Sequence, residues 1–266
     1  MVTFDDARRR LVITAGAAGT GLLFASASAG FAHAAGKDHG KGQEKEVGAV
    51  EDLMREHGVL RRALLVFIEC APKIRANPAN ISAEALARTA KLFRTFGEDY
   101  HERRLEEPYI FPAVKKAGGQ AASYIDVLKA QHDRGREVTD YVLSVTGKGT
   151  LSGDSEPLAR ALETFVLMYQ NHTAREDTIV FPAWKEVLSA RQLQEMGDRF
   201  EDIERQQFGK DGYEDAVAQI GQIEHLLGLA DLAQFTAPPH PKPELAANRG
   251  WPRNAGGSSP SSPKLY

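Results

Sequence analysis

His172 and Glu176 stand four residues apart in NHTAREDTIVFPAW. At about 100° per residue of helix they lie about 40° apart around the axis, so both side chains can reach one metal ion. An earlier stretch, HERRLEEPYIFP, opens with His101, contains Glu106 and ends in Phe-Pro, and is one residue longer than the matching HTAREDTIVFP. Two more histidines complete a pattern: His57 precedes His101 by 44 residues, and His132 precedes His172 by 40. A lone histidine followed by a histidine-glutamate unit therefore occurs twice, an internal duplication of a helical hairpin. Imidazole suits iron, zinc, copper or nickel, and carboxylates can bridge two ions and neutralise their charge. Four histidines and two glutamates exceed one orderly tetrahedral zinc shell and suit two ions. Any one of these residues alone reads as surface, and His-x-x-x-Glu alone as a solvated pair. Four histidines at matching intervals argue for a metal.

The elements that must position them are helices. Apolar residues recur at helical spacing from about 48 to 76, 82 to 117, 120 to 146 and 155 to 188, with two shorter stretches at 190 to 207 and 212 to 228. Pro78, Gly118-Gly119, Gly147 and Gly149 punctuate them, and Asp154 or Ser155 offers an N-cap ahead of Pro157. Four long helices joined by short loops predict an all-α, up-down four-helix bundle, with the last two helices packed outside it. The four histidines fall one per long helix.

The extra residue in the first copy creates a geometric problem. Glu106 and Glu176 each lie six residues before the proline, but His101 lies eleven before it and His172 ten. Residues five apart in a regular α-helix are about 140° apart, too far round to share a metal. Pro108 has no N–H for the carbonyl of Arg104, and its ring crowds that carbonyl. Helices widen into a π-turn at such points. The expectation is a bulge between His101 and Pro108 that aims Glu106 inward.

MREHGVLRR, YHERRLEEPYIFP, LKAQHDRGRE and NHTAREDTIVFPAW resemble the four ligand segments of the hemerythrin-like, or HHE cation-binding, family. The resemblance covers about 50 to 187. It implies an up-down bundle around two non-haem iron ions, optionally oxo- or hydroxo-bridged, with His57, His101, His132, His172, Glu106 and Glu176 as ligands and the glutamates as bridges. Dioxygen, peroxide or nitric oxide is the small ligand it implies. Oxygen carriers of the family add a histidine four residues after the third-helix ligand; that place is Arg136 here. The departure shifts the reading from carriage toward sensing, peroxide or nitric-oxide chemistry, or iron handling. Glu102, directly after His101, could fill the missing place as a metal ligand, or be solvated beside Arg103 and Arg104.

Residues around the ligands divide less clearly. Tyr109, Tyr169 and Trp184 could lie near the site, although aromatics at helical spacing commonly build cores. Glu56, Asp133 and Asn171 flank the histidines and could fix their tautomers, or face water. His225 has no partner at metal spacing and reads as structural.

The rest of the chain bounds the function. Its 266 residues are 42% apolar and carry a net charge of −3, without the basic excess that favours nucleic acid. Residues 1–34 read as a cleaved export signal: Arg8, Arg9 and Arg10 precede an apolar Gly/Ala-rich run that closes on Ala32-His33-Ala34. RRRLVI resembles the twin-arginine signal, which implies export of a folded protein to the periplasm or beyond. Cleavage leaves no stretch suited to a stable membrane span. Residues 35–46 read as a polar linker, 47–236 as the folded part and 237–266 as a disordered tail. Cys70 is the single cysteine, so no intramolecular disulfide can form, and its apolar surroundings make it a buried small hydrophobe. No nucleophile triad, phosphate loop or dinucleotide fingerprint is present. The sequence predicts a di-iron binding protein; the alternatives are a peroxide- or nitric-oxide-decomposing enzyme and an iron storage or delivery protein. It does not set the oligomeric state.

Overall fold

A computed structural model describes residues 47–240, save 148, 150 and 152–154. The expected export signal, the linker and most of the tail lie outside these residues. One compact unit ends at Ala230 and a second begins at Asp231. In the second, Asp231 caps a short 3-10 helix, Leu232–Phe235, through a 2.9 Å bond from the Ala233 N–H.

The first unit is built of helices, with no strand among the described residues. Helix α1 spans Ala49–Ala76, with Glu51 and Asp52 in its first turn and Lys73 and Arg75 in its last, each sign matched to the helix dipole. It stops at Asn77, ahead of Pro78. Helix α2 (Ala83–Leu92) starts where the Ser82 hydroxyl accepts from the Ala85 N–H at 3.1 Å. It runs on as a π-helix, π1 (Phe93–Ile110), and returns to α geometry in α3 (Phe111–Ala117). Gly118 and Gly119, at φ of 79° and 73°, reverse the chain. After the short α4 (Gly119–Ala122), α5 spans Ile125–Thr146 and α6 Ser155–Arg175. A second π-segment, π2 (Glu176–Val180), leads into α7 (Phe181–Glu186). The four long rods pack as the predicted bundle, α1 against α6 and α2–π1 against α5.

The last two helices lie outside the bundle, as expected. Helix α8 (Ala190–Phe208) opens with a capping box between Ser189 and Gln192 and closes at Gly209, φ 71°. Helix α9 (Gly212–Leu226) is capped by Asp211 and pinned to α1 where Arg62 holds Glu224 with two hydrogen bonds. Together they cover α1, α2 and π1. His225 is exposed on α9. No helix of the described residues is long and apolar enough to cross a membrane.

An aromatic layer fills the bundle on one side of the histidines. Phe67, Phe93 and Phe165 meet edge to face, with Tyr169 above them at 4.7 Å from Phe93. Cys70 is buried nearby on α1, and burial pushes its thiol up to about 11, so it behaves as the expected apolar group.

Both π-segments have a local cause. The Phe111 N–H bonds the carbonyl of Glu106, five residues back, and the Phe181 N–H bonds that of Glu176 in the same way. Pro112 and Pro182 follow directly; neither has an N–H, and each ring crowds the carbonyl four residues earlier. The widened turn relieves that crowding. The bulge expected near Pro108 is present, but it begins earlier, at Phe93, and the second copy has its own, which was not expected.

Candidate metal centre

The widened turns bring the duplicated residues together at one level of the bundle. His57, His101, Glu106, His132, His172 and Glu176 are all buried, none more than 3% exposed. Nε2 of His57 and Nε2 of His101 face one side, their rings 4.7 Å apart; the rings of His132 and His172 face the other at 4.9 Å. The two carboxylates lie between these pairs. Glu106 places Oε1 3.2 Å from Nε2 of His101 and Oε2 3.3 Å from Nε2 of His132. Glu176 places Oε2 3.5 Å from Nε2 of His57 and Oε1 3.0 Å from Nε2 of His172. Each carboxylate therefore offers one oxygen to each histidine pair.

These atoms fit bound cations. Donor atoms held at about 2.1 Å and at right angles around an ion sit about 3.0 Å apart, close to the spacings seen. All four oxygens of Glu106 and Glu176, and Nε2 of His101, are buried without a hydrogen-bond partner. Stranding one such atom costs about 1–3 kcal/mol, and more for a charged group. Nε2 of His132 and of His172 face each other at 3.2 Å, which requires a proton or a cation between them. The groupings Glu106-His132-His172-Glu176 and His57-His101-Glu106 each converge within 4.8 Å.

Electrostatics without a cation show the same tension. Burial raises Glu176 well above the usual carboxylate range, and the Glu106 charge adds to it. Glu106, opposed by the same burial, is drawn well below that range by His101 and His132. Burial and the neighbouring His132 ring push His172 down to about 3, so its imidazole is neutral and its lone pair is available to a metal. Burial opposes the charged form of His101 and His132 as well, but facing carboxylates raise both well above their ordinary value: Glu106 and Glu56 for His101, Glu102, Glu106 and Glu107 for His132.

Each histidine is oriented from behind. Nδ1 of His57 donates to Asp177 at 2.7 Å, and Nδ1 of His101 to Glu56 at 2.6 Å. Nδ1 of His132 donates to Glu107 at 3.1 Å, and Nδ1 of His172 to the amide oxygen of Gln131 at 3.0 Å. These bonds leave each Nε2 as the metal-facing nitrogen. Phe181 stacks on His57 and Phe111 on His132, each ring pair 5.3 Å apart, and both shield an imidazole face from water.

The neighbours divide among the roles the sequence left open to them. Glu102 is buried, but Tyr169 donates to its Oε1 at 2.8 Å, and its unpartnered Oε2 lies 4.0 Å from Nδ1 of His132, the nitrogen turned away from the cluster. It sits beside the convergent six rather than among them. Glu56 adjoins His57 in sequence yet serves His101, because successive helical residues point about 100° apart. Tyr169 is near the site, 5.3 Å from the His172 ring. Tyr109 is not: it packs on Phe200, and its hydroxyl accepts from Arg199. Trp184 stacks on the same Phe200. Asp133 is exposed toward Lys129, and Asn171 pairs with Arg175 on the surface. Their position next to a ligand points them outward.

Arg136 occupies the place of the carriers' extra histidine. It turns to π1, donating to Asp99 at 2.7 Å and to the carbonyl of Glu98. Asp177, Glu107 and Gln131 were missed. For the two acids the signal was a carboxylate directly after each glutamate, Glu106-Glu107 and Glu176-Asp177; for Gln131 it was the place before His132 that Glu56 holds before His57.

Residues 48–184 match the hemerythrin HHE cation binding domain. Uncharacterized proteins of Mycobacterium bovis and of two Mycobacterium tuberculosis strains are each 40% identical over 233 residues, 86% of this chain and 90% of theirs. No solved structure matches the chain. With its duplicated histidine-glutamate hairpins closed around one buried centre, the chain belongs to the hemerythrin HHE cation-binding family.

Proposed function

We propose that this is a di-iron protein that binds, senses or reacts with dioxygen, peroxide or nitric oxide. One observation carries the reading: two buried carboxylates with no hydrogen-bond partner each offer one oxygen to each of two histidine pairs. His57 and His101 would hold one ion, His132 and His172 the other, and Glu106 and Glu176 would bridge them. A pair of irons would supply electrons and an open coordination position to a small ligand. Phe111 and Phe181 exclude water from the imidazole faces, while the residues behind Nδ1 fix each ring.

Arg136 supports the shift away from oxygen carriage, since a cation paired with Asp99 contributes no ligand. The Tyr169–Glu102 pair favours turnover as the second reading. Burial, with Glu102 beside it, raises the Tyr169 hydroxyl well above its ordinary value, so it stays protonated as a donor next to the centre. Export belongs to the same proposal, on the arginine run and Ala-His-Ala site outside the described residues.

Metal analysis, with an absorption spectrum of the anaerobically reduced protein before and after oxygen, tests the reading. Two irons per chain and an oxygen-dependent visible band are expected. Labile iron with no such band would favour storage or delivery, and steady consumption of peroxide or nitric oxide would favour the enzyme.

A further inference from the structure

The four imidazoles are not backed alike. Their partners follow the duplication: the residue before each lone histidine, Glu56 or Gln131, takes the second histidine of its own hairpin. The residue after each glutamate, Glu107 or Asp177, takes the lone histidine of the other hairpin. Gln131 is thus the counterpart of Glu56, so three carboxylates and one neutral amide stand behind the four rings.

The contacts differ in length as well. His57 and His101 have carboxylates at 2.7 and 2.6 Å, as short as charge-assisted bonds or shorter, while His132 and His172 have partners at 3.1 and 3.0 Å. Nearby cations do not restore the balance, because Asp177 is shared with Arg61 and Glu107 with Lys129. Nor does Glu102: its Oε2 is 4.0 Å from Nδ1 of His132, beyond hydrogen-bond reach, and its other oxygen is taken by Tyr169. A carboxylate behind an imidazole strengthens that ring's hold on a metal, and losing such a partner costs about 10–100-fold in affinity.

Resting on the dimetal reading, we infer that the two ion positions are unequal: the ion between His57 and His101 is held firmly, and the ion between His132 and His172 exchanges. Gln131 sets the difference. The two hairpins supply the same ligand types, so the inequality arises behind the rings and leaves the bridging carboxylates common to both ions. The exchangeable position also lies on the side nearer Tyr169 and Glu102, where a small ligand would find a hydroxyl and a carboxylate at hand.

The test is anaerobic loading of the full chain with ferrous iron, followed by a ferrous chelator whose complex is read by absorbance over time. Two ions per chain should leave in two equal phases whose rates differ by about 10-fold or more. Gln131→Glu should slow the fast phase, and Glu56→Gln should speed the slow one. Gln131 is half-buried on α5 and accepts a carboxylate of the same length; Glu56→Gln probes the opposite side independently. Release of both ions in a single phase, or a fast phase indifferent to Gln131→Glu, overturns the inequality while the counted pair of ions leaves the dimetal reading standing. Fewer than two ions at the start overturns both.

Discussion

Gly135 on α5 leaves no room for a side chain against Tyr169, beside the centre. A Cβ added there would lie 2.9 Å from Cζ and 3.0 Å from Cε2 of Tyr169, and closer still to the hydroxyl. Tyr169 would have to withdraw, and Glu102 Oε1 would lose its 2.8 Å hydrogen bond while Oε2 already has no partner. Overpacking costs about 1–3 kcal/mol, and stranding a buried acceptor about 1–3 kcal/mol more. Against this, Ala improves on Gly in a helix interior by about 1 kcal/mol. Gly135→Ala should therefore destabilise by about 3 kcal/mol, which for a domain of this size lowers Tm by about 6–12 °C. Thermal unfolding of the metal-free protein measures it. Tyr169→Phe removes the atom that clashes most, so its cost in the Gly135→Ala background should be at least about 1 kcal/mol smaller than in the parent. A neutral or stabilising Gly135→Ala, as helix propensity alone would give, or strict additivity of the two changes, would refute the reasoning.

Other perturbations act on the charges of the centre. Burial and Glu106 keep Glu176 protonated in the metal-free protein, so Glu176→Gln should change metal-free stability by less than about 1.5 kcal/mol, the ordinary range for a volume-conserving exchange. It should also leave fewer than two ions per chain by metal analysis. Glu102→Gln should retain two ions per chain, because Glu102 stands outside the convergent six; a loss of one ion would make it a ligand. His101 and His132 are raised in the folded metal-free state, so their contribution to its stability is fully present below about pH 6.5 and is lost as pH rises through their folded values. Metal must displace those protons and the one on Glu176. Uptake at pH 7 should release about three protons per chain, seen as a titration heat that depends on the buffer's ionisation enthalpy; heats independent of buffer would contradict this.

Much of the fold was legible in the sequence because helix punctuation here is strong. Pro78, Gly118 and Gly119 mark element ends where the chain turns, and the histidine intervals gave the hairpin duplication. The π-turn of the first copy was legible through its extra residue and Pro108. The second was not, because His172 and Glu176 already share a face in a regular helix; its cause, Pro182, acts on the turn beyond them. The converging residues were readable as a repeat, whereas the residues behind the rings were not. Glu107 and Asp177 reach across to the opposite hairpin, and no local periodicity reports a contact between helices. Glu102 shows the converse: the sequence offered it as a ligand or as a solvated acid beside Arg103 and Arg104, and no local pattern reports the buried hydrogen bond it accepts from Tyr169 across the bundle.

Diffraction at the iron absorption edge from crystals of the iron-loaded protein tests the central claim most directly. Two anomalous peaks about 3.5–4 Å apart are predicted, one between His57 and His101 and the other between His132 and His172, both in contact with Glu106 and Glu176. A single peak, or peaks away from these six residues, would contradict the account.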